Sequence, residues 1–402
     1  MAEAKSIVPL SPTMMSAAGS ELCQVYCNGQ IFEGWTDVSV VPGFNDVATR
    51  FRLSVTEPTS AAGQVLGWQI RPDDPIQIKL GGVQVVNGYV DVRQAAYDAG
   101  SHGVEIAGRS ITALAVDAAA VTDEGKPVGP FAGYKLDEIA RALLDPLSIG
   151  LKVLGDIGAP FPNVTAQFGE SIFELLARLA RLRGFHLHDD PDGDLVLSNQ
   201  LPTSDASVGL IEGVNILSAS AMVDLSSQTD KIIVVGQMPG NDDAYGAAVA
   251  NQTASVTNDK AKRRRQKVII MEEPGDKEDM KTRANLEMAQ LVKGQAKVQV
   301  SVQGWFKADG SLWAIADVVK LNSAMLLIDD HLAVEAIEFV QSDSEGTLTR
   351  LDLVPPASLL SVPPAGKASP PLTMDGGDAP DDEDNDDTAA IDWNARSGAA
   401  AV

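Results

Sequence analysis

A helix, a break and a hairpin follow one another in residues 168–199, and this stretch constrains the fold more than any other. Ser171 begins a capping box, and apolar residues then recur every three or four positions until Gly184. Two short apolar runs, 185–188 and 195–197, flank the sequence DDPDGD, whose residues each favour a turn. The pattern predicts an amphipathic helix that packs on a core and leads into a β-hairpin.

Short strand patterns lie on both sides of this helix and hairpin. Before it, alternating apolar runs are separated by Asn28-Gly29 and Gly81-Gly82, pairs that accept the positive φ of a two-residue turn. After it, apolar runs recur until Pro355-Pro356, and short strands at such spacing indicate an antiparallel barrel or sandwich. The predicted strands of the second set are 214–223, 231–237, 295–306, 318–321, 324–328, 332–339 and 347–353.

The predicted fold class is α+β and mainly β, with two antiparallel β-barrel domains, a small α/β middle region between them and an acidic C-terminal tail. The middle region has a second predicted helix at 134–144 and a strand at 151–154. The predicted boundaries are an N-terminal arm (1–17), the first β-barrel domain (18–115), the middle region of two small lobes (116–207), the second β-barrel domain (208–355, with an insertion at about 239–275) and the tail (356–402).

Charge and hydropathy narrow the classes of function. The formal net charge is −24, which argues against a nucleic-acid-binding surface because phosphate binding needs concentrated positive charge. No apolar run approaches the length of a membrane span, and the N-terminus lacks the pattern of a signal peptide. We therefore expect synthesis in the cytoplasm, no membrane span and no specific binding of nucleic acid.

Two patterns in the predicted hairpin are typical of metal sites. His186 and His188 form an H-x-H pair, and alternate aspartates of the DDPDGD turn resemble a calcium loop. However, Leu195 and Leu201 occupy the places of the sharp-turn glycine and the bidentate glutamate of such a loop. We expect instead a solvent-facing strand followed by an acidic hairpin turn, with no metal ion or other cofactor.

Catalytic motifs are missing from the sequence. It contains no G-x-S-x-G elbow, no Walker loop and no H-E-x-x-H helix, so no catalytic residue is assigned. Carboxylate pairs such as Glu33 with Asp37, or Glu335 with Glu338, are the only basis for glycoside hydrolysis, and they lie in strand or turn patterns where solvation explains them. We therefore expect a protein that is not an enzyme.

Residues Lys262, Arg263, Arg264 and Arg265, called here the basic segment, are the strongest charge anomaly in this acidic chain. The segment is a candidate partner contact. Three interpretations remain open: it binds DNA, it pairs with an acidic surface on another subunit or on the chain's own tail, or it is merely solvated. Either contact would weaken with salt, so only competition with DNA separates the first two.

The C-terminal tail combines prolines with the acidic run DDEDNDD. From residue 357 onward, nine acidic residues against two basic ones give a formal charge of −7. This composition predicts a segment that is disordered on its own, because it cannot bury enough apolar surface to offset the entropy of ordering. Leu372, Ile391 and Trp393 are the candidate anchors through which a partner, such as a neighbouring subunit, would hold it.

Three groups of segments together resemble a known family. The first is GQIFEGWTDVSVVPGFNDVATRFRLSV with GYVDVRQAAYDAGSHGVEIAGRSITALAVDAAA, the second YKLDEIARALLDPLSIGLKV with ESIFELLARLARLRGFHLHDDPDGDLVLSN, and the third VQGWFKADGSLWAIADVVKL with GTLTRLDLVPP. In this order they resemble the baseplate hub proteins of Mu-like contractile-tailed phages, which are related in fold to the hub portion of type VI secretion spike proteins. The resemblance covers about residues 20–355.

This resemblance implies a structural function. Hub proteins of this kind form a homotrimer in which each chain supplies two similar, tube-like barrels, so that a pseudo-sixfold ring adapts the sixfold tail tube to the threefold central spike. A channel for DNA passage runs through the ring. The implied partners are tail tube or tail-tip ring proteins, the central spike and baseplate wedge proteins, and the implied location is the virion tail baseplate. The alternative hypothesis is a cell-wall-degrading enzyme of the tail tip.

Overall fold

A computed structural model of the chain describes residues 21–44, 47–58, 70–97, 101–200, 209–226, 228–237, 252–259, 261–271 and 275–359. The predicted N-terminal arm and all but the first four residues of the predicted tail lie outside these ranges. None of the helices in the described ranges is long and apolar enough to cross a membrane.

The first β region has seven antiparallel strands, and two-residue turns join β1 to β2 and β5 to β6. Asn28 and Gly29 adopt φ values of 50° and 76°, and Gly81 and Gly82 adopt 54° and 86°, so both predicted two-residue turns are confirmed. The strands are β1 (Cys23–Cys27), β2 (Gln30–Phe32), β3 (Asp37–Val41), β4 (Arg50–Pro58), β5 (Pro75–Leu80), β6 (Val83–Tyr97) and β7 (Ser101–Ser110).

The middle region contains the predicted helices and hairpin. Its elements are α1 (Ala113–Asp117), α2 (Leu136–Leu144), β8 (Leu151–Leu154), α3 (Ile172–Arg183), β9 (His186–Asp189) and β10 (Leu195–Ser198). The capping box of α3 is confirmed: the Glu174 amide donates to Ser171 Oγ at 3.1 Å, the Ser171 amide donates to Glu174 Oε2 at 2.8 Å, and Gly184 ends the helix with a φ of 70°. Strands β9 and β10 pair antiparallel, and β8 pairs parallel to β10.

The last part of the described chain returns to β structure around one long helix. Its elements are β11 (Gly209–Ile211), β12 (Ser218–Val223), β13 (Lys231–Gly236), β14 (Gln252–Thr257), β15 (Gln266–Ile270), α4 (Lys277–Gln295), β16 (Ala296–Gln303), β17 (Val318–Ser323), β18 (Ile328–Ser342) and β19 (Gly346–Val354). The predicted strand at 324–328 is wrong, because residues 324–327 form the turn between β17 and β18.

One large antiparallel sheet unites the two β regions. Its order is β12-β16-β19-β18-β3-β4-β7-β6-β5-β1-β2, with β17 beside β18 and β11 beside β17. The predicted mainly β, antiparallel character is therefore confirmed. Among the described residues, the strand pairings run as one open sheet instead of two closed barrels, because β3 of the first region pairs with β18 of the second.

The remaining strands form a separate small sheet. Strand β13 pairs with β14 on one side and with β15 on the other, and α4 packs against β13 and β14. Its buried side chains, Ile232 and Val234, join the same apolar core as α2 and α3, whereas the large sheet has a core of its own. The sequence predicts β13 in the second β-barrel domain, but the strand lies outside the large sheet, in one small sheet with β14 and β15 of the predicted insertion. The predicted domain boundaries remain a prediction.

Candidate functional site

Several strands of the large sheet, among them β2, β11, β12 and β6, have an edge that lacks a strand partner among the described residues along part or all of its length. Strand β12 pairs only with β16. The first half of β6 pairs with β5 up to Tyr89, but beyond that residue β6 pairs only with β7. Residues 91–97 of β6 are all exposed, as are Met222 (60%) and Val223 (41%) of β12. Open edges present unpaired backbone groups, so they are sites for pairing with another strand.

The open edges of β12 and β6 lie at the two ends of a four-stranded pattern that occurs twice in the large sheet. Strands β6 and β18 both have 15 residues, and each has a bulge in its pairing with the next strand, at Val90/Val92 and at Val334/Ala336. Their first halves pair with β5 and β17, respectively. The second half of β18 pairs with β3, whereas the second half of β6 is open.

Following the pairings across the sheet identifies equivalent residues. From the first bulge, Val90 pairs with Gly108, Gly108 with Phe51 and Phe51 with Val40. From the second bulge, the corresponding series leads to the open edge; it runs Val334, Leu353, Val298 and Ala221. Ala221 of β12 is therefore the counterpart of Val40 of β3, so each chain contains two equivalent four-stranded halves.

The face of the large sheet that points away from its core carries charges that neutralise one another. Arg52 forms an ion pair with Glu105 at 2.7 Å, and Arg350 forms one with Glu338 at 2.9 Å. These side chains share a face because Arg52 lies opposite Ser39, whose hydroxyl donates to Glu338 at 3.0 Å. This face is polar and contains both signs of charge.

The basic segment lies between β14 and β15 and is exposed. The amide of Arg265 donates to Asp230 Oδ1 at 2.6 Å, and its carbonyl accepts from the Asp230 amide at 2.9 Å, so the backbone is held to the start of β13. Lys262, Arg263 and Arg264 form no ion pair with another described residue. The other candidate contacts, Leu372, Ile391 and Trp393, lie outside the described residues.

The acidic turn between β9 and β10 is a hairpin turn, as predicted. Lys152 of β8 contacts all three aspartates that resembled calcium ligands: Asp190, Asp192 at 3.4 Å and Asp194 at 3.1 Å. The hydrogen bond to Asp190 raises the pKa of Lys152, so its ammonium group stays charged between these carboxylates. Within the described ranges, no group of three or more His, Cys, Asp or Glu residues is placed to hold a metal ion.

The prediction that His186 and His188 lie on a solvent-facing strand is wrong. Both are buried, with 5% and 8% of their surface exposed. Phe44, from the loop after β3, lies against both rings at centroid distances of 5.3 Å and 5.0 Å, and it stacks on His188. Aromatic packing of this kind stabilises burial of the two rings. Strand β9 therefore faces the first β region.

Asp189 fixes this junction by hydrogen bonds. Its Oδ2 accepts from the Thr49 amide at 2.8 Å and from Ser110 Oγ at 2.5 Å, and its Oδ1 accepts from Thr49 Oγ1 at 3.0 Å. Burial raises the pKa of Asp189, and these hydrogen bonds partly oppose that shift because they favour the carboxylate. The hairpin that looked like a candidate metal site is thus a structural joint between the middle and first β regions.

Comparisons with known proteins agree with this architecture. Residues 23–110 match the family described as Mu phage baseplate assembly protein GpP-like, N-terminal, and residues 112–199 match the second domain of the baseplate hub protein gp44-like family. The baseplate hub protein gp44 of Escherichia phage Mu is 28% identical over 338 residues, which are 82% of this chain and 86% of that protein.

Solved structures extend the likeness to most of the chain. The 43 kDa tail protein of prophage MuSo2 from Shewanella oneidensis has a TM-score of 0.73 and 26% identity, with 84% of this chain and 99% of that chain covered. A type VI secretion component from E. coli shares the fold alone, with a TM-score of 0.54 and 9% identity over 85% of this chain and 79% of that one.

The class that the fold and these matches define is that of phage tail and baseplate proteins. Within this class, residues 23–110 and 112–199 match domains of the Mu-like baseplate assembly and baseplate hub families, and most of the chain is similar to the baseplate hub protein gp44 of phage Mu.

Replacing Asp189 with Ala tests the junction. We expect Asp189→Ala to lower the free energy of unfolding by about 3 kcal/mol, because it leaves the buried donors of Thr49 and Ser110 without their charged acceptor. The matched control is Asp192→Ala in the neighbouring turn, whose side chain is 69% exposed and which we expect to cost under about 1 kcal/mol. Equal losses in urea unfolding would contradict the assigned role.

The buried His188 predicts a pH dependence of stability. Burial lowers its pKa from 6.5 to about 4 in the folded chain. The unfolded state therefore binds more protons between these values, and stability falls as the pH falls through this window. Between pH 7 and pH 5, the wild type should lose about 2 kcal/mol more than His188→Gln in chemical unfolding.

Asp189 titrates in the opposite sense, since its raised pKa makes folding more favourable on acidification, but it is common to both proteins and cancels in the comparison. Parallel pH profiles for the wild type and His188→Gln would show that His188 is not held neutral.

Proposed function

We propose that this chain is a structural baseplate hub that closes into a homotrimeric ring. The observation that carries the proposal is the β3–β18 pairing, because it joins two equivalent halves within one chain and leaves the same joint open at β6 and β12. The pairing alternates in direction along the eight strands from β12 to β6, so β6 would meet β12 of the next copy antiparallel, as β18 meets β3.

The intrachain joint also supplies the expected register of the joint between copies. Phe339 lies five residues after Val334 and pairs with Val40. Ala95 lies five residues after the equivalent Val90, and Ala221 is the counterpart of Val40. Ala95 is therefore expected to pair with Ala221 of the next copy, and Ala96 with Ser220. Identical chains that join head to tail in this way form a closed ring when the rotation between successive copies closes on itself.

A ring of three such copies would adapt one symmetry to another. Each copy supplies two equivalent halves, so three copies present six similar units on a threefold frame. This arrangement suits a hub between the sixfold tail tube, or tail-tip ring, and the threefold central spike, with baseplate wedge proteins around it. The name of the Mu relative, a baseplate hub protein, supports a place in the virion tail baseplate after synthesis in the host cytoplasm.

The exposed face of the large sheet supports a channel for DNA. Its ion pairs, Arg52–Glu105 and Arg350–Glu338, leave few unpaired cations for phosphates to bind. We propose that this face lines the channel and lets DNA pass without adsorbing. The alternative, a tail-tip enzyme that degrades cell walls, is not favoured by the candidate carboxylates: Glu338 is bound by Ser39 and Arg350, and Glu33 by Gln24.

A cysteine pair across the proposed joint tests the ring and its register. In Ala96→Cys/Ser220→Cys, both new thiols lie on exposed strand edges, whereas the native Cys23 and Cys27 are buried. Directly opposite residues of antiparallel strands are within disulfide reach. Mild oxidation should give covalent dimers and trimers on non-reducing gels, because a link within one copy would have to span about 34 Å across the sheet.

Each single-cysteine variant, and the shifted pair Ala96→Cys/Ser218→Cys, should remain largely uncrosslinked, since two residues along a strand displace the thiols by about 6.6 Å. Equal crosslinking by the matched and shifted pairs, or none by either, would refute the proposed joint.

A further inference from the structure

Strand β15 and the basic segment before it form an exposed surface with two distinct parts. Lys262, Arg263 and Arg264 contribute positive charge, and Val268 and Ile270 then follow with 61% and 77% of their surface exposed. Strand β15 pairs with β13 on one side only, so its other edge has no strand partner among the described residues. An apolar strand edge of this kind is normally covered.

The exposed side chains lie on the sheet face that α4 does not cover. Lys267 and Ile269 lie opposite Ile232 and Val234, the buried residues of β13, and Lys267 forms an ion pair with Glu287 of α4 at 3.2 Å. Because side chains alternate along a strand, Val268 and Ile270 point to the opposite face. The surface is therefore basic at the start of β15 and apolar along the strand.

The C-terminal tail has the complementary sequence in the same order. The acidic run 381–387, DDEDNDD, is followed by Ile391 and Trp393. The spacing also matches: Ile391 and Trp393 lie four and six residues after Asp387, as Val268 and Ile270 lie four and six residues after Arg264. A parallel strand in this register would place Asp386 and Asp387 against Arg263 and Arg264, and the apolar residues of the tail against those of β15.

The described chain ends beside α4, which packs on the small sheet. Residues Pro356–Leu359, where the described chain ends, form a 3-10 turn that contacts α4, and α4 packs on the small sheet to which β15 belongs. About 20 residues separate Leu359 from the acidic run, and they can span about 60 Å when extended. The tail of the same copy can therefore reach β15.

We infer that residues 381–393 of the tail dock along β15 of their own chain. The acidic run lies against Lys262–Arg264, and Ile391 and Trp393 cover Val268 and Ile270. In this arrangement the tail masks the strongest positive patch of the chain, so that it does not capture nucleic acid. The ring proposed above is not needed for this contact.

A tail-to-strand disulfide in the full chain tests the docking. Val268→Cys/Ile391→Cys places one thiol on each side of the expected contact, and both native cysteines are buried. Oxidation should link the two positions, and peptide mapping of mixed isotope-labelled and unlabelled copies should find the link within one copy. The control, Val268→Cys/Ala400→Cys, keeps the tail and moves the second thiol out of register.

Removing the charges of the basic segment tests whether the rate of linkage depends on specific docking or on random encounter of the two thiols. Adding Lys262→Ser, Arg263→Ser and Arg264→Ser to the matched pair should slow linkage by about threefold to a hundredfold, since each exposed ion pair contributes a factor of about 1.4 to 5. Circular dichroism and thermal melting verify that these exposed substitutions leave the fold intact. Equal rates for the matched and control pairs, a rate unchanged by neutralisation, or links only between copies would overturn the inference.

Binding of double-stranded DNA to the full chain tests the interpretation that the basic segment binds nucleic acid. The wild type should not retain DNA at physiological salt, whereas a chain with the acidic residues of 381–387 changed to Asn or Gln should gain retention that the three serine substitutions abolish. Salt-sensitive DNA binding by the wild type, unaffected by the tail substitutions, would assign the basic segment to nucleic acid and contradict the docking.

Discussion

The antiparallel pairing of β3 with β18 is the interaction on which the rest of the architecture depends. It joins residues 37–40 to residues 339–342, nearly the full length of the described chain apart, and makes one sheet of two β regions. Backbone groups at a strand edge need hydrogen-bond partners. The β3–β18 joint supplies them within one chain, whereas the equivalent edges of β12 and β6 have no strand partner among the described residues. The equal lengths and bulges of β6 and β18 identify β6 as the counterpart of β18.

The middle region supports this sheet through buried polar contacts. The hairpin of β9 and β10 carries Asp189 into the interior, where Thr49 and Ser110 bind it, and Phe44 covers His186 and His188. Each of these partners lies in or beside the first β region. Burying a carboxylate is costly unless its oxygens are hydrogen-bonded, and here both oxygens are, so the hairpin fixes the orientation of the middle region.

Local patterns in the sequence predicted local structure well. The capping box at Ser171 and the turns at Asn28-Gly29 and Gly81-Gly82 depend on neighbouring residues and were confirmed. Non-local contacts were not predictable in this way. The histidines of β9 alternate as on a solvent-facing strand, and only the distant Phe44 shows that they are buried.

The open strand edges escaped sequence reasoning for the same reason. An edge is defined by which strand fails to pair, and hydrophobic alternation within one strand does not contain that information. The equal lengths of β6 and β18 were the available signal, but it was hidden because the pattern of 324–339 suggested two strands where the structure has one long strand. The basic segment, in contrast, was visible from charge alone, and its exposure followed from its composition.

If β6 and β12 join neighbouring copies, the number of copies in the particle is the most direct test of the proposed ring. Native mass measurement of the purified full chain, over a wide range of concentrations, would count them without any substitution. A particle of three times the 42.3 kDa chain mass is predicted, stable on dilution because a closed ring holds each copy at two joints. A chain that remains monomeric at all concentrations, even when spike protein is added, would contradict it.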